Sequence, residues 1–217
     1  MNKQNRFLPT TKDEMKQRGW DELDVVLITG DAYIDSPFMG IAVVGRILED
    51  IGLRVGIIGQ PDINSDVDIK RLGEPKLFWG VSGGSIDSMV SNYTATKKFR
   101  NDDDYTPGGK NNKRPDRATL VYTNLIRRYF KNTAPIVLGG IEASLRRLTH
   151  YDYWSNTLRK PILFDSKADY MVYGMGEQAI IDLGLYLKEG KDVRTIAGLC
   201  YISKEPVKEY LQIPSHK

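Results

Sequence analysis

The fold is decided by the stretch Val25-Val26-Leu27-Ile28-Thr29-Gly30, the first of five short apolar runs that each end in glycine. Uninterrupted apolar runs are typical of strands buried on both faces of a parallel sheet. Segments with helical spacing separate most of the runs. We therefore predict an α/β fold, a three-layer Rossmann-like or flavodoxin-like sandwich around a five-stranded, mostly parallel sheet. The other four runs lie at residues 55–59, 77–84, 136–140 and 170–174.

The glycine-rich ends of these runs predict where the functional surface lies. All strands of a parallel sheet point the same way, so the five ends meet at one edge, and open α/β sheets bind ligands at that edge. We expect the glycines to let a ligand approach the backbone, and Asp31, Tyr33, Ser82 and Glu142 to form hydrogen bonds with it. The predicted ligand-binding residues are Gly30, Asp31, Tyr33, Ser82, Gly83, Gly84, Gly139, Gly140, Glu142, Gly174, Gly176 and Glu177.

Each of these loops also has a purely structural interpretation. Asp31 and Asp35 could cap the following helix while Tyr33 packs, and residues 82–85 could form a plain tight turn. Residues 174–179 match G-x-G-x-x-A. That motif marks a dinucleotide site when it follows the first strand of the fold, and here it follows the fifth, so we predict no NAD site.

Composition limits the class of protein. The chain has 217 residues, enough for one large domain, and no apolar run long enough to cross a membrane. Its single cysteine, Cys200, fits a reducing compartment, which predicts a cytoplasmic protein. Two histidines, His150 and His216, do not supply the three or four ligands of a zinc site, so we predict no bound metal. The chain contains no recognisable catalytic constellation.

Charge is concentrated in one segment. Residues 97–117 contain seven basic and four acidic residues, an excess equal to the net charge of the whole chain, +3. The segment belongs to a long connection, residues 84–115, and such connections are usually functional or mobile. The acidic run 102–104 is predicted to be exposed to solvent. We divide the chain into a lead-in with a short helix (1–23), an α/β domain with that insertion (24–204), and a tail or linker (205–217).

Several longer stretches carry a family resemblance. From about residue 7 to residue 202 the chain resembles the N-terminal region of the YgiQ family of radical SAM proteins. The stretches that carry this resemblance are residues 18–21, 29–33, 114–123, 139–147 and 150–155, for example Arg114-Pro115-Asp116-Arg117 and His150-Tyr151-Asp152-Tyr153-Trp154-Ser155.

The resemblance implies a cobalamin-binding type of α/β domain that precedes a radical SAM barrel. In that barrel a C-x-x-x-C-x-x-C loop holds the [4Fe–4S] cluster that cleaves S-adenosylmethionine. Three thiolates hold such a cluster, and this chain has one cysteine. The resemblance therefore implies a fragment without the catalytic domain, inactive alone, whose partner is the C-terminal radical SAM domain of the parent chain.

The resemblance also raises the question of cobalamin. Domains that ligate cobalt from below carry Asp-x-His-x-x-Gly after the first strand, and this chain has Gly30-Asp31-Ala32-Tyr33 there. A phenol at neutral pH is a poor cobalt ligand, so we expect no cobalt ligation from this loop. The cavity would then hold cobalamin without a protein ligand, hold another small molecule, or be vestigial.

Two other functions stay open at this point. The chain could be a stand-alone nucleotide- or phosphate-binding module that uses the glycine loops. It could also be an interaction module in which residues 97–117 contact a partner domain or RNA, although the modest net charge does not favour nucleic acid.

Overall fold

The computed structural model describes residues 7–206, 211–212 and 214. Most of the predicted tail, 205–217, with His216 in it, and residues 1–6 of the lead-in lie outside that range. The elements are, in chain order, α1 (Lys12–Gln17), β1 (Val25–Thr29), α2 (Gly40–Asp50), β2 (Val55–Gly59), α3 (Val67–Lys70), β3 (Phe78–Ser82), α4 (Ser88–Asn92), α5 (Ala118–Tyr129), β4 (Ile136–Gly139), α6 (Gly140–Leu145), β5 (His150–Asp152), β6 (Thr157–Arg159), α7 (Ile162–Ser166), β7 (Tyr170–Val172), α8 (Glu177–Glu189), a 3-10 helix (Val193–Thr195) and β8 (Leu199–Tyr201).

The main sheet confirms the predicted fold class. Its strand order is β2-β1-β3-β4-β7-β8, and the first five strands are parallel. The sheet has six strands rather than five because β8 pairs antiparallel with the free edge of β7. In register, Thr29 lies between Gly59 and Ser82, and Ser82 pairs with Gly139. The glycine-rich strand ends therefore do share one edge.

Helices cover both faces of this sheet, which makes the sandwich three-layered. On one face Leu8 and residues of α2 and α8 pack on alternate side chains of the strands, such as Leu27 and Phe78. On the other face α5 packs Tyr122 and Ile126 against the intervening side chains. Because strands buried on both faces have no polar side, their sequences read as continuous apolar runs. Among the described residues, each helix is too short or too polar to cross a membrane.

The insertion at 84–115 is tied to the strand ends rather than loose. Tyr105 accepts a hydrogen bond from the backbone N–H of Ala32 at 2.9 Å, in the loop after β1. Thr106 accepts one from Gln60 at 2.6 Å, after β2. Within the acidic run predicted to be exposed, Asp103 is only 4% exposed. That part of the prediction was wrong, because Asp103 faces the buried guanidinium of Arg114.

Candidate functional site

A groove of about 440 Å³ opens at the carboxyl edge of the sheet, on the face covered by α2 and α8. Farther from this edge the two helices touch, because Leu48 of α2 and Ile51, which follows α2, pack against Gly184 of α8. The first turns of both helices line the groove. The lining comprises Leu27, Thr29, Asp31, Pro37, Phe38, Gly40, Ile41, Val43, Val44, Phe78, Gly80, Val81, Ser82, Gly84, Ser85, Val137, Leu138, Gly139, Gly140, Ile141, Val172, Gly174, Gly176, Glu177 and Ile180.

The floor of the groove is apolar and its rim is polar. Alternate strand residues form the floor, among them Leu27, Phe78 and Val137. Sequence reasoning missed these residues, although the two-residue period of the strands places them on the face that ends at the predicted loops. Ser82 and Ser85 contribute hydroxyls at the rim. The groove therefore offers an apolar surface for a flat group and hydrogen bonds for a polar one.

The two helices that begin at the groove, α2 and α8, have no side-chain N-cap, a property they share with α3, α5, α6 and α7. Neither Met39, the N-cap of α2, nor Gly176, the N-cap of α8, caps its helix with a side chain. By contrast, Thr11 caps α1 and Asp87 caps α4 through their side chains. Uncapped N–H groups and the positive end of the helix dipole favour anions. Glu177 in the first turn of α8 offsets part of this potential.

Eight of the twelve predicted residues line the groove. They come from the loops after four different strands, as the common-edge argument requires, and their role in ligand binding stays a prediction. The eight are Asp31, Ser82, Gly84, Gly139, Gly140, Gly174, Gly176 and Glu177. The other four, Gly30, Tyr33, Gly83 and Glu142, are absent from the lining.

Gly30 and Gly83 let two loops pack closely. A Cβ at Gly30 would lie 2.1 Å from the carbonyl oxygen of Gly83, and a Cβ at Gly83 would lie 2.5 Å from Oε2 of Glu142. A side chain at Gly30 would force the loops after β1 and β3 apart, and one at Gly83 would displace the Glu142 carboxylate. Their small size therefore has a packing explanation that involves no ligand.

Tyr33 and Glu142 make internal hydrogen bonds. The Tyr33 hydroxyl accepts the N–H of Leu8 at 3.1 Å and so holds the N-terminal segment. Burial raises the pKa of Tyr33 to about 12, so it is a neutral phenol. The buried Glu142 carboxylate accepts N–H groups of Ser88 and Thr119, each at 2.9 Å, at the starts of α4 and α5. The structural interpretation of Tyr33 packing agrees with this geometry.

Asp31 belongs to a buried ion-pair cluster that sequence reasoning missed. Arg114 lies 2.8 Å from Asp31 and 3.3 Å from Asp103, and all three side chains are at most 2% exposed. Arg114 also donates to the carbonyl oxygen of Gly83 at 2.9 Å. The cluster joins the insertion to the groove wall and fixes the orientation of Asp31. No local motif predicts this cluster, because Asp31 is distant in sequence from Asp103 and Arg114.

In the described part of the chain, no three His, Cys, Asp or Glu side chains lie close enough together to hold a metal ion. The thiol of Cys200 is partly buried, and burial raises its pKa. His150 is the first residue of β5, which pairs antiparallel with β6 to form a small hairpin. Its Nδ1 lies 3.1 Å from the carbonyl oxygen of Leu148.

Comparisons with known proteins agree with this architecture. The family described as radical SAM N-terminal matches residues 7–217. A UPF0313 protein of Fusobacterium nucleatum is 61% identical over 212 residues, which are 97% of this chain and 37% of the relative. A UPF0313 protein of Thermotoga neapolitana is 54% identical over 97% of this chain and 37% of its own length. This chain thus spans little more than a third of these relatives.

Solved structures show the same fold at low sequence identity. TsrM from Kitasatospora setae, a radical S-adenosylmethionine methyltransferase, superposes with a TM-score of 0.55 and 20% identity when solved with tryptophan and a SAM analogue. That match covers 83% of this chain and 29% of TsrM. TsrM solved with cobalamin and a [4Fe–4S] cluster superposes with a TM-score of 0.54.

Proposed function

The chain belongs to the radical SAM N-terminal family, and on this premise we propose that it is the ligand-holding accessory domain of a larger radical SAM protein. Residues 24–204, with the insertion 84–115, would form this domain, and residues 205–217 would lead to a C-terminal radical SAM domain. The relatives' greater length supports that arrangement. The single cysteine supports a cytoplasmic location.

The [4Fe–4S] cluster does not fit this chain. A cluster needs three thiolates, and the one thiol here, Cys200, has a raised pKa because it is partly buried. A neutral thiol is a poor metal ligand. In this proposal the cluster and S-adenosylmethionine therefore belong to the domain that follows.

The groove carries the proposal for a ligand. Its volume lies within the roughly 300–1,000 Å³ of typical small-molecule sites. The apolar floor suits a flat heteroaromatic ring, and the uncapped starts of α2 and α8 suit a phosphate. The nucleotide tail of a corrinoid combines both groups. We propose that such a tail is the part that binds.

Cobalt ligation by the groove does not fit its residues. The lining includes neither His nor Cys, and the hydroxyl of Tyr33 is occupied by Leu8. The domain would therefore hold the cofactor by its tail without an axial ligand from the loop after β1. A bound corrinoid would supply a redox-active cobalt to the parent protein. The groove residues would bind and orient the tail.

Calorimetric titration tests this proposal. The chain is titrated with hydroxocobalamin, with cobinamide, which lacks the nucleotide tail, and with AMP. We expect cobalamin to bind at least about tenfold more tightly than cobinamide, about 1.4 kcal/mol. Equal affinities, or an absorbance spectrum that shows a nitrogen ligand from the protein, would contradict it.

Gly139 offers a variant that fills the groove without disturbing the fold. Its φ of −155° is open to any residue, and a Cβ there would lie 4.0 Å from its nearest neighbour. Gly139→Leu should weaken cobalamin binding about tenfold or more, whereas the matched control Gly139→Ala, which adds one methyl group, should change it little. If Gly139→Leu binds cobalamin as tightly as the unmodified chain, the ligand does not bind in this groove.

The same titrations separate the two alternatives. Binding of AMP but not of cobalamin would favour a nucleotide-binding module, which the uncapped helix starts also suit. The interaction module is less well supported, because Arg114, a cation of the basic segment, is buried and paired with two aspartates. It is therefore not available to a phosphate backbone.

A further inference from the structure

The hairpin formed by β5 and β6 has its polar side chains inward and its apolar side chains outward. On the inner face Asp152 pairs with Arg117 at 2.6 Å and Arg159 pairs with Asp165 at 2.8 Å. On the outer face Tyr151 and Leu158 form a cross-strand pair. They are 58% and 59% exposed. An antiparallel pair that rests on a domain normally places its apolar face inward and its polar face in water. This inversion indicates that the outer face is covered by another surface.

More exposed apolar side chains lie in the segment that precedes the hairpin in the chain. Three further exposed apolar residues, Ile141, Leu145 and Leu148, precede it at spacings of four and three residues. Ile141 also lines the groove. Scattered exposed apolar residues are normal, but such a concentration of them within residues 141–158 is typical of an interaction site. We call Ile141, Leu145, Leu148, Tyr151 and Leu158 the apolar band.

The structure holds the apolar band in place. Lys97 donates to the carbonyl oxygen of Tyr153 at 3.1 Å, and the rings of Tyr93 and Trp154 lie 4.9 Å apart, so the insertion clamps the hairpin. At the other end, Ser144 of α6 accepts the N–H of Gly174 at 3.2 Å. A preformed surface of this kind binds a partner with little loss of conformational entropy.

We propose that the apolar band is the docking surface for the remaining part of the parent polypeptide. This inference rests on the accessory role proposed above but not on the identity of the groove ligand. The Fusobacterium nucleatum relative is much longer than this chain, which covers only 37% of its length.

Charge favours the following domain over a second copy of this chain. The exposed charged side chains of residues 141–160, Arg147 and Lys160, have no carboxylate partner within ion-pair distance among the described residues. A second copy docked through this band would bring the same cations into its own interface. The partner surface should therefore be apolar at its centre and acidic at its rim.

Footprinting of a chimera tests the docking surface. Residues 1–217 replace the matched region of the Fusobacterium nucleatum relative, and hydroxyl-radical labelling is compared with that of this chain alone. Labelling of Leu145, Tyr151 and Leu158 should fall at least about fivefold in the chimera. Val67, 70% exposed on α3, is the control and should keep its labelling. Unchanged labelling of the apolar band would overturn the proposal.

Association in trans provides a second measurement that does not depend on the chimera. The remaining part of the relative is produced separately and titrated with this chain. Leu158→Lys should raise the dissociation constant at least about tenfold, whereas Val67→Lys should not. Self-association of this chain that Leu158→Lys abolishes, without binding to the remaining part, would assign the band to a second copy and overturn the proposal. Cobalamin titration of Leu158→Lys keeps the two proposals separate, because groove binding should be unchanged.

Discussion

Arg114 gives the sharpest prediction, because its guanidinium alone balances two buried carboxylates. Its side chain is fully buried and lies within ion-pair distance of Asp31 and Asp103. Arg114→Met fills a similar volume but removes the charge. It also removes the hydrogen bond to the carbonyl oxygen of Gly83. We expect a large loss of stability with no change in exposed surface.

The size of this loss follows from the burial of the partners. Removing one member of a buried ion pair costs about 3–5 kcal/mol, because the remaining charge has neither water nor a partner. In a chain of this length 1 kcal/mol lowers the melting temperature by about 2–4 °C. Arg114→Met should therefore melt about 6–20 °C lower than the unmodified chain. The matched control is Arg127→Met, whose pair with Asp169 is 2.8 Å long but partly exposed, and which should cost about 0–1 kcal/mol.

Urea and thermal unfolding at pH 7, followed by circular dichroism, give the free energy of unfolding and the melting temperature of both variants, provided that unfolding is cooperative. The triple variant Asp31→Asn, Asp103→Asn, Arg114→Met has no buried charge in this cluster and should recover at least half of the lost stability. If Arg114→Met costs no more than Arg127→Met, or if the triple variant is no more stable than the single one, charge balance is not what holds the insertion.

Two further predictions concern Tyr33 and Asp152. Tyr33→Phe should lower the free energy of unfolding in urea by about 1 kcal/mol, because the N–H of Leu8 loses its acceptor. The same variant should leave the affinity for cobalamin unchanged. Weaker cobalamin binding would show that Tyr33 contacts the ligand. Burial opposes the ionisation of Asp152, but hydrogen bonds from Ser155 and Arg117 outweigh it and lower its pKa to about 2. Since this pKa is below the unfolded value near 3.9, the stabilisation is complete above about pH 4 and is lost as the pH falls through about 2. Asp152→Asn should therefore cost about 2 kcal/mol at pH 7 and almost nothing at pH 2, and equal costs at both pH values would contradict the assignment.

The arrangement of the main sheet was predictable because its signals are local. A strand buried on both faces must be apolar along its length, and the runs at 25–30 and 136–140 carry that signature whatever they pack against. Parallel strands share one direction, so the common edge of their glycine ends follows from the fold class. The short apolar run at residues 199–202 also indicated an edge strand, and β8 forms there, pairing three residues with the sheet edge.

The site was only partly predictable, because a side chain's role depends on what lies opposite it. Asp31, Tyr33 and Glu142 all lie near the predicted edge of the sheet. However, the Tyr33 hydroxyl accepts a hydrogen bond from Leu8, and the Glu142 carboxylate accepts hydrogen bonds from the starts of α4 and α5. Asp103, in an acidic run, is buried because Arg114 lies against it. These partners come from segments far apart in sequence.

By itself, the sequence determined the α/β class, the five parallel strands and the edge where their loops meet, since burial on two faces and strand polarity are properties of each segment. Only the tertiary structure decided that a groove opens between the first turns of α2 and α8, that Arg114 balances two aspartates, and that the hairpin turns its apolar side outward. Each of these depends on distances between segments that no local pattern encodes.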